Sequence, residues 1–211
     1  GLSAVLFPVF SELEGSRDES KISDLLIRSS KYVLLIMGML TFTCIVFAGE
    51  ILGIWLGADF AQESTNIFRI TAMGVFAVSF SNIFYAFYRG LGRPDIASKL
   101  HLTELIVYAV VVYLLVPRFG VIGVSLAVTL RRFFDAVTLF VFLTKVKDLS
   151  YADMSLKRLF LAAIATFLLF VIALISVLMD SETVDVLYLI SLGLLGLFAW
   201  IFVLDQIDKA M

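Results

Sequence analysis

Long apolar stretches separated by short polar breaks make up most of the chain. A helix that crosses a bilayer needs roughly 20 mainly apolar residues, with a range of about 17 to 25. The breaks contain turn formers or charges that a helix does not keep in hydrocarbon. Six stretches meet the length requirement, and the pattern predicts membrane-spanning helices over residues 32–56, 67–88, 100–116, 120–144, 158–179 and 185–204.

The residues before the first span divide into two parts. Residues 1–10 have the composition of the end of a membrane helix and follow no basic signal region, so we expect the chain to be a fragment whose start is missing. Residues 11–31 are charged and predict a cytoplasmic loop. Within that loop, apolar positions at helical spacing predict an amphipathic helix at the membrane interface. No internal repeat or linker separates the segments, and we treat 1–211 as a single membrane unit.

Predicted loops that are rich in lysine and arginine alternate with loops that have few or none, and this alternation indicates an orientation in the membrane. The stretch before the first span and the loops 89–99 and 145–158 are rich in these residues, whereas 57–66 and 180–184 contain none. Because cytoplasmic loops carry the excess of Lys and Arg, the rich loops are placed inside. This predicts a multi-pass protein of the plasma (inner) membrane with a cytoplasmic tail at residues 205–211.

Composition excludes several classes of protein. The chain is 61% hydrophobic with a mean hydropathy of +1.04, whereas an average soluble domain is about 45 to 50% apolar. A net charge of −2 without a basic tract gives no reason to expect a nucleic-acid partner. We find no nucleophile elbow, no Walker sequence and no metal-ligand spacing around the single histidine. The sequence therefore predicts no enzyme, no cofactor and no metal site.

Three charged residues lie about halfway along the span 120–144: Arg131, Arg132 and Asp135. Each charge at such a depth costs roughly 2.5 to 3.5 kcal/mol on insertion scales. On an ideal helix the three residues share one arc, opposite an apolar arc that suits lipid. Asp135 could neutralise the arginines and hold neighbouring helices together, or take part in proton or ion coupling. Alternatively, the two guanidinium groups form a cationic lining that suits phosphate or carboxylate groups.

Two further polar sets lie on neighbouring spans. His101 and Glu104 are three residues apart in the predicted cytoplasmic half of 100–116, where they either pair locally or belong to a substrate pathway. Asn82 lies on a polar stripe of 67–88, which suits hydrogen bonds between helices or the lining of a cavity. The side chains expected to line a substrate cavity are Arg131, Arg132, Asp135, Glu104, His101 and Asn82.

Several segments together resemble one family. They are LFPVFSEL at 6–13, GEILGIWLGADFA at 49–61, YRGLGRP at 88–94 and RFGVIGVSLAVTL at 118–130. In their order and spacing they resemble the C-terminal half of polysaccharide biosynthesis proteins, the lipid-linked oligosaccharide flippases of the MATE-like exporter superfamily. The resemblance implies an all-α polytopic bundle of about 12 to 14 helices in two lobes around a central cavity. This chain would supply the C-terminal lobe plus two extra C-terminal helices, and its partner would be the missing N-terminal lobe of the same protein.

The resemblance also implies a substrate. A flippase of this kind moves a sugar chain on a polyprenyl diphosphate, so the expected partners are an anionic lipid-linked glycan and membrane lipids. Two other functions stay open: a multidrug exporter coupled to Na⁺ or H⁺, and a non-transporting membrane scaffold or subunit. A cation exporter is expected to line its cavity with carboxylates, whereas the excess charge within these spans is positive. No family motif assigns a role to the arginines, and their role rests on physical chemistry alone.

Overall fold

The computed structural model describes residues 2–146 and the single positions 188, 190, 192, 193 and 196. Within these residues the chain is helical apart from turns, which confirms the expected all-α class. Among the described residues, three helices are long and apolar enough to cross a membrane: Glu19–Val46, Ala58–Gly90 and Pro94–Phe142. The predicted span 158–179, most of the span 185–204 and the tail lie outside the described residues.

Five helices follow one another along the described chain. They are α1 at Leu2–Gly15, α2 at Glu19–Val46, α3 at Ala48–Leu56, α4 at Ala58–Gly90 and α5 at Pro94–Val146. The residues expected to form an amphipathic helix before position 32 are the first turns of α2, which continues without a break into the apolar stretch. Apart from the break between α2 and α3, the described helices begin and end at charged or glycine-containing segments.

The chain divides into two compact units. Unit 1 comprises Gly1–Leu26 and Asn66–Tyr151, and unit 2 comprises Ile27–Thr65 and Ala152–Met211. Unit 1 contains the charged positions that the sequence singles out inside α5.

In unit 1, α1 packs tightly against the end of α4. Phe10 is fully buried and meets Phe87 edge to face, with ring centroids 5.5 Å apart. Gly90 lies so close to Phe10 that a Cβ atom added to it would collide with the Phe10 side chain. The absence of a side chain at Gly90 is therefore what lets α1 approach α4.

The first turn of α2 is capped by Asp18. Its Oδ1 accepts hydrogen bonds from the Lys21 backbone N–H at 3.2 Å and from the Ser20 hydroxyl at 2.8 Å, and Lys21 Nζ lies 2.7 Å from Oδ2. A side-chain oxygen in this position satisfies a backbone donor that has no partner within the helix. The hydrogen bonds from Lys21 and Ser20 lower the pKa of Asp18 to about 2.

The long helix α5 is a hairpin of two arms. Gly120 has φ 55° and ψ −128°, a conformation that breaks the helix and that side chains other than glycine rarely adopt. After this reversal Gly123 lies against the Leu115 backbone, since an added Cβ would stand 2.5 Å from the Leu115 carbonyl oxygen. The first arm, 94–119, and the second arm, 121–146, consequently lie side by side.

The second arm of α5 also packs along α4. Thr129 donates a hydrogen bond to the Ile70 carbonyl at 2.9 Å, and Tyr88 donates one to the Leu139 carbonyl at 3.1 Å. Residues further along α4 meet residues further along α5, so α4 and the second arm run in the same direction. The opposite face of the arm matches the apolar arc expected to face lipid, and its exposed residues include Leu130, Phe133, Val137 and Val141. Phe140 of that arc instead meets Phe84 of α4 edge to face, with ring centroids 6.1 Å apart.

Unit 2 contains a second break in a predicted span. A turn at Phe47 separates α2 from α3, so the apolar stretch 32–56 forms two helices. Gly53 on α3 would place an added Cβ 4.0 Å from the Ala61 side chain at the start of α4, and the turn between the two helices is at Gly57, with φ 95°. Trp55 at the end of α3 is 76% exposed, which suits an aromatic side chain at a membrane interface.

The hairpin conformation predicts a sensitivity to side chains at Gly120. Substitution Gly120→Ala places a Cβ atom in a backbone conformation that costs about 1 to 3 kcal/mol for residues other than glycine. We expect the variant of the full-length protein to unfold at a lower temperature in detergent. Gly15→Ala is the matched control, because Gly15 has neither a positive φ nor an atom within 4 Å of an added Cβ. Equal unfolding temperatures for the two variants would show that the Gly120 conformation is not required.

The arrangement of α4 predicts that its two ends lie on opposite sides of the membrane. Asp59 in its first turn and Arg93 after its last turn are both exposed. In a full-length protein without other cysteines, including Cys44→Ser, a membrane-impermeant maleimide should label Asp59→Cys on intact cells. Arg93→Cys should react only after the cells are permeabilised. Labelling of both positions on intact cells would contradict both the span and the proposed orientation.

Candidate functional site

Polar side chains of unit 1 gather where α4 meets the two arms of α5. We call Tyr85, His101, Glu104 and Asp135 the polar cluster. One nitrogen of His101 and one carboxylate oxygen each of Glu104 and Asp135 lie within 4.8 Å of one another. Tyr85 Oη donates a hydrogen bond to Asp135 Oδ1. Glu104 is 2% and Asp135 5% exposed, so two carboxyl groups are buried beside one imidazole.

The fold explains how these residues meet. His101 and Glu104 are three residues apart on the first arm of α5, a spacing that places them on one helical face, and His101 Nδ1 lies 3.4 Å from Glu104 Oε2. The hairpin at Gly120 brings Asp135 of the second arm beside them. Tyr85 approaches from α4, and its ring stacks on that of His101 with centroids 5.1 Å apart and planes at 24°.

The cluster contains one buried polar atom that lacks a hydrogen-bond partner. Glu104 Oε1 is inaccessible to solvent and has no hydrogen-bond partner among the described residues. Buried polar atoms are nearly always paired in folded proteins, and leaving one unpaired costs about 1 to 3 kcal/mol. This oxygen marks the cluster as a place where a further group would be stabilising.

The two arginines of the second arm have environments that differ from each other. Arg131 is exposed, and its guanidinium carbon lies 5.3 Å from the centroid of the Tyr108 ring, at cation–π distance. Arg132 is half-buried against Gly74 of α4, where an added Cβ would stand 3.2 Å from both Cδ and Nη1 of the arginine. Its Nη1 is buried and has no hydrogen-bond partner within the described part of the chain.

Asp135 does not pair with either arginine in the described structure. The sequence left open a direct neutralisation of Arg131 and Arg132 by Asp135, since helical spacing permits it. The structure differs, because Asp135 is buried towards α4 and the first arm, where the Tyr85 hydroxyl donates to it. The carboxylate is therefore engaged with the polar cluster, and the guanidinium groups are left for other partners.

The six residues expected to line a cavity are thus divided by the structure. His101, Glu104 and Asp135 come together, Arg131 and Arg132 lie next to them on the second arm, and Asn82 is half-buried on α4 outside the polar cluster. Two residues that the site depends on were not among those expected to line the cavity. Tyr85 lies three positions after Asn82 on the polar stripe, which is a signal for a hydroxyl aimed at a neighbouring helix. For Gly74, the only signal in the sequence is a residue without a side chain within an apolar span.

Comparison with known proteins finds similar sequences among membrane and transport proteins. A protein of Shigella flexneri named "Putative O-antigen transporter" is 27% identical over 95 residues, which is 45% of this chain and 23% of that protein. An uncharacterised membrane protein of Methanocaldococcus jannaschii is 26% identical over 147 residues, which is 70% of this chain and 29% of that protein. The matched regions thus span about a quarter of the length of these relatives. No solved structure matches the chain.

The family described as lipid II flippase MurJ matches residues 1–195. This match covers most of the chain and confirms the resemblance to lipid-linked glycan flippases of the MATE-like superfamily that the four sequence segments indicated. It also agrees with a multi-pass protein built from apolar helices. The chain therefore belongs to the lipid II flippase MurJ family, whose members are membrane transporters rather than enzymes and act on lipid-linked glycans.

Proposed function

We propose that this chain is part of a flippase that carries a polyprenyl-diphosphate-linked sugar chain across the plasma membrane by alternating access. In this proposal Arg131 and Arg132 lie on the wall of the cavity that receives the diphosphate. Family membership supports the class of substrate, and the O-antigen transporter named among the relatives handles a related type of glycan. The first lobe of the cavity would come from residues outside this chain.

The observation that carries the proposal is the engagement of Asp135 with Tyr85. Because Asp135 accepts a hydrogen bond from Tyr85 and lies beside Glu104, it does not neutralise the arginines. Two guanidinium groups therefore stand within a membrane-spanning helix without a carboxylate bound to them in the described structure. A diphosphate is a fitting partner, since guanidinium forks bind phosphate oxygens through two parallel hydrogen bonds.

Arg132 is the better placed of the two to hold a phosphate oxygen. Its Nη1 is buried, lacks an acceptor among the described residues and rests against Gly74. Packing of the guanidinium against α4 restricts its orientation before a substrate arrives, which lowers the entropic cost of binding. Arg131 is exposed and contacts the Tyr108 ring, so its side chain can move with a substrate headgroup.

The energetic cost of burying the arginines in the membrane is consistent with a substrate whose opposite charge offsets that cost. An arginine at the centre of a membrane helix costs roughly 2.5 to 3.5 kcal/mol on insertion scales. A diphosphate headgroup is likewise unfavourable in hydrocarbon. Bringing the opposite charges together offsets part of both costs, whereas a permanent carboxylate partner would leave little attraction for a substrate.

The alternation of charged loops supports an orientation with the residues before α2 and the C-terminal tail in the cytoplasm. In that orientation the polar cluster lies nearer the cytoplasmic side and the α5 hairpin turn lies on the outer side. The substrate of a flippase is made on the cytoplasmic side, so its headgroup would meet this side of unit 1 first.

The buried carboxyl groups of Glu104 and Asp135 favour a second candidate. Carboxyl groups inside membrane helices are typical of proton and ion pathways in transporters. An exporter coupled to Na⁺ or H⁺ would use them to bind its coupling ion and would not need the arginines. The flippase function therefore requires Arg131 and Arg132, whereas the ion-coupled exporter does not.

The proposal predicts that substitution of the arginines slows glycan transport. In the full-length protein, Arg132→Ala should reduce the rate of flipping by at least about tenfold, because a charge-assisted hydrogen bond contributes about 1.5 to 3 kcal/mol. Arg132→Lys should recover part of the rate, since it keeps the charge but loses the fork. Gly74→Ala should also slow flipping, because its Cβ would displace the Arg132 side chain. The measurement is transfer of a labelled polyprenyl-diphosphate sugar across reconstituted liposomes.

Arg118→Ala is the matched control, because Arg118 is exposed near the α5 hairpin turn and lies away from both arginines along the helix. All variants are compared at equal amounts of folded protein. Wild-type flipping rates for both Arg131→Ala and Arg132→Ala would reject the proposed lining. Export of a cationic drug that depends on Glu104 and not on the arginines would instead support the second candidate.

A further inference from the structure

The polar cluster places two buried carboxyl groups side by side. Glu104 and Asp135 are both buried in helices apolar enough to cross a membrane. An ionised carboxylate in such surroundings is costly unless a positive charge is bound to it. Among the described residues neither carboxylate forms a salt bridge with Arg131 or Arg132. His101 Nδ1 lies 3.4 Å from Glu104 Oε2.

The spacing of the donor atoms fits a metal ion. In a tetrahedral zinc site with ligands at about 2.0 to 2.1 Å, neighbouring ligand atoms are about 3.3 Å apart. His101 Nδ1 and Glu104 Oε2 are 3.4 Å apart, close to that separation. An oxygen of Asp135 lies within 4.8 Å of both. Small side-chain rotations would bring all three atoms to one ion.

The unpaired oxygen of Glu104 is an independent sign of a ligand. Glu104 is 2% exposed, so water does not compensate for the missing partner of Oε1. Among the described residues, the other buried side-chain atoms without a partner include Arg132 Nη1, which is a donor and suits an anion. Glu104 Oε1 is an acceptor on the same carboxyl group as Oε2, so a cation bound to this carboxylate would also offer Oε1 a partner.

Tyr85 supports the arrangement in the way that outer residues support metal ligands. Its hydroxyl donates to Asp135 Oδ1 and leaves the second carboxylate oxygen available. Its ring stacks on His101 at 5.1 Å and restricts the rotation of the imidazole. Residues that orient ligands through a hydrogen bond or a stack are a regular feature of metal sites, and their loss typically weakens binding by 10- to 100-fold.

We propose that His101, Glu104 and Asp135 bind a divalent transition-metal ion of the zinc class, with Tyr85 as the residue that positions two of the ligands. The imidazole nitrogen selects for this class, because sodium, magnesium and calcium favour sites made of oxygen alone. An ion of charge +2 neutralises the two buried carboxylates. The His101 side chain is 53% exposed and gives the ion a way in. The site is built within unit 1 and does not rest on the proposed flippase function.

The test measures metal binding without transport. The full-length protein, free of any histidine tag and stripped of metal with a chelator, is titrated with Zn²⁺ and separately with Co²⁺ as a spectroscopic probe. Wild type should bind one equivalent and show the visible absorption of four-coordinate Co²⁺. His101→Gln and Glu104→Gln should each weaken Zn²⁺ binding by at least about tenfold, and Tyr85→Phe should weaken it to a smaller extent. Glu63→Gln, an exposed carboxylate on α4, is the matched control and should bind as wild type.

His101→Asp provides a second test that does not depend on loss of binding. This variant makes the site all-oxygen, so its preference should shift from Zn²⁺ towards Mn²⁺. Because His101 is exposed, His101→Gln is expected to leave the unfolding temperature of the metal-free protein unchanged, which separates a lost ligand from a misfolded protein.

Two results would overturn the proposal. One is the absence of stoichiometric Zn²⁺ binding to wild type, and the other is equal affinity in wild type, His101→Gln and Glu104→Gln. Absence of binding together with an infrared band of a protonated carboxyl group that Glu104→Gln removes would assign a shared proton to the site instead. None of these results depends on whether the protein flips a glycan.

Discussion

The reversal of α5 at Gly120 determines which helices and side chains of unit 1 can contact one another. A left-handed residue in the middle of 53 helical residues returns the second arm along the first. Without that return, Asp135 would lie far from His101 and Glu104, and α4 would have only one arm of α5 to pack against. The reversal costs little at glycine and much at other residues. One backbone conformation thus brings together charges that are distant in sequence.

Electrostatics in an apolar environment then separates those charges into two groups. The carboxyl groups of Glu104 and Asp135 are buried beside His101 and Tyr85, whereas the guanidinium groups of Arg131 and Arg132 lie next to them, against Tyr108 and Gly74. A direct ion pair between a carboxylate and a guanidinium group would have neutralised both charges. Their separation leaves an anionic site that suits a cation and a cationic surface that suits an anion. Both proposals for this chain follow from that division.

The sequence predicted the features that depend on hydrophobic length and local chemistry. The apolar runs indicated helices and the all-α class, and the short break between the predicted spans 100–116 and 120–144 indicated the reversal of the chain. The partner of Asp135 could not be predicted, because helical spacing allowed Arg131 as readily as a residue of another helix. The turn at Phe47 has no proline or charge to mark it within an apolar stretch. Likewise, the proximity of Asp135 to His101 and Glu104 could not be predicted from the sequence, since Asp135 lies on the opposite arm of α5.

The central claim is that the second arm of α5 receives the diphosphate of a lipid-linked glycan. A polyprenyl-diphosphate sugar with a photoreactive group beside the diphosphate tests this claim directly, when it is cross-linked to the full-length protein and the labelled peptides are mapped. The account predicts labelling within residues 123–137, with competition by unlabelled substrate and loss of labelling in the double variant Arg131→Ala, Arg132→Ala. Competable labelling that falls only on other segments, and that persists in the double variant, would contradict it.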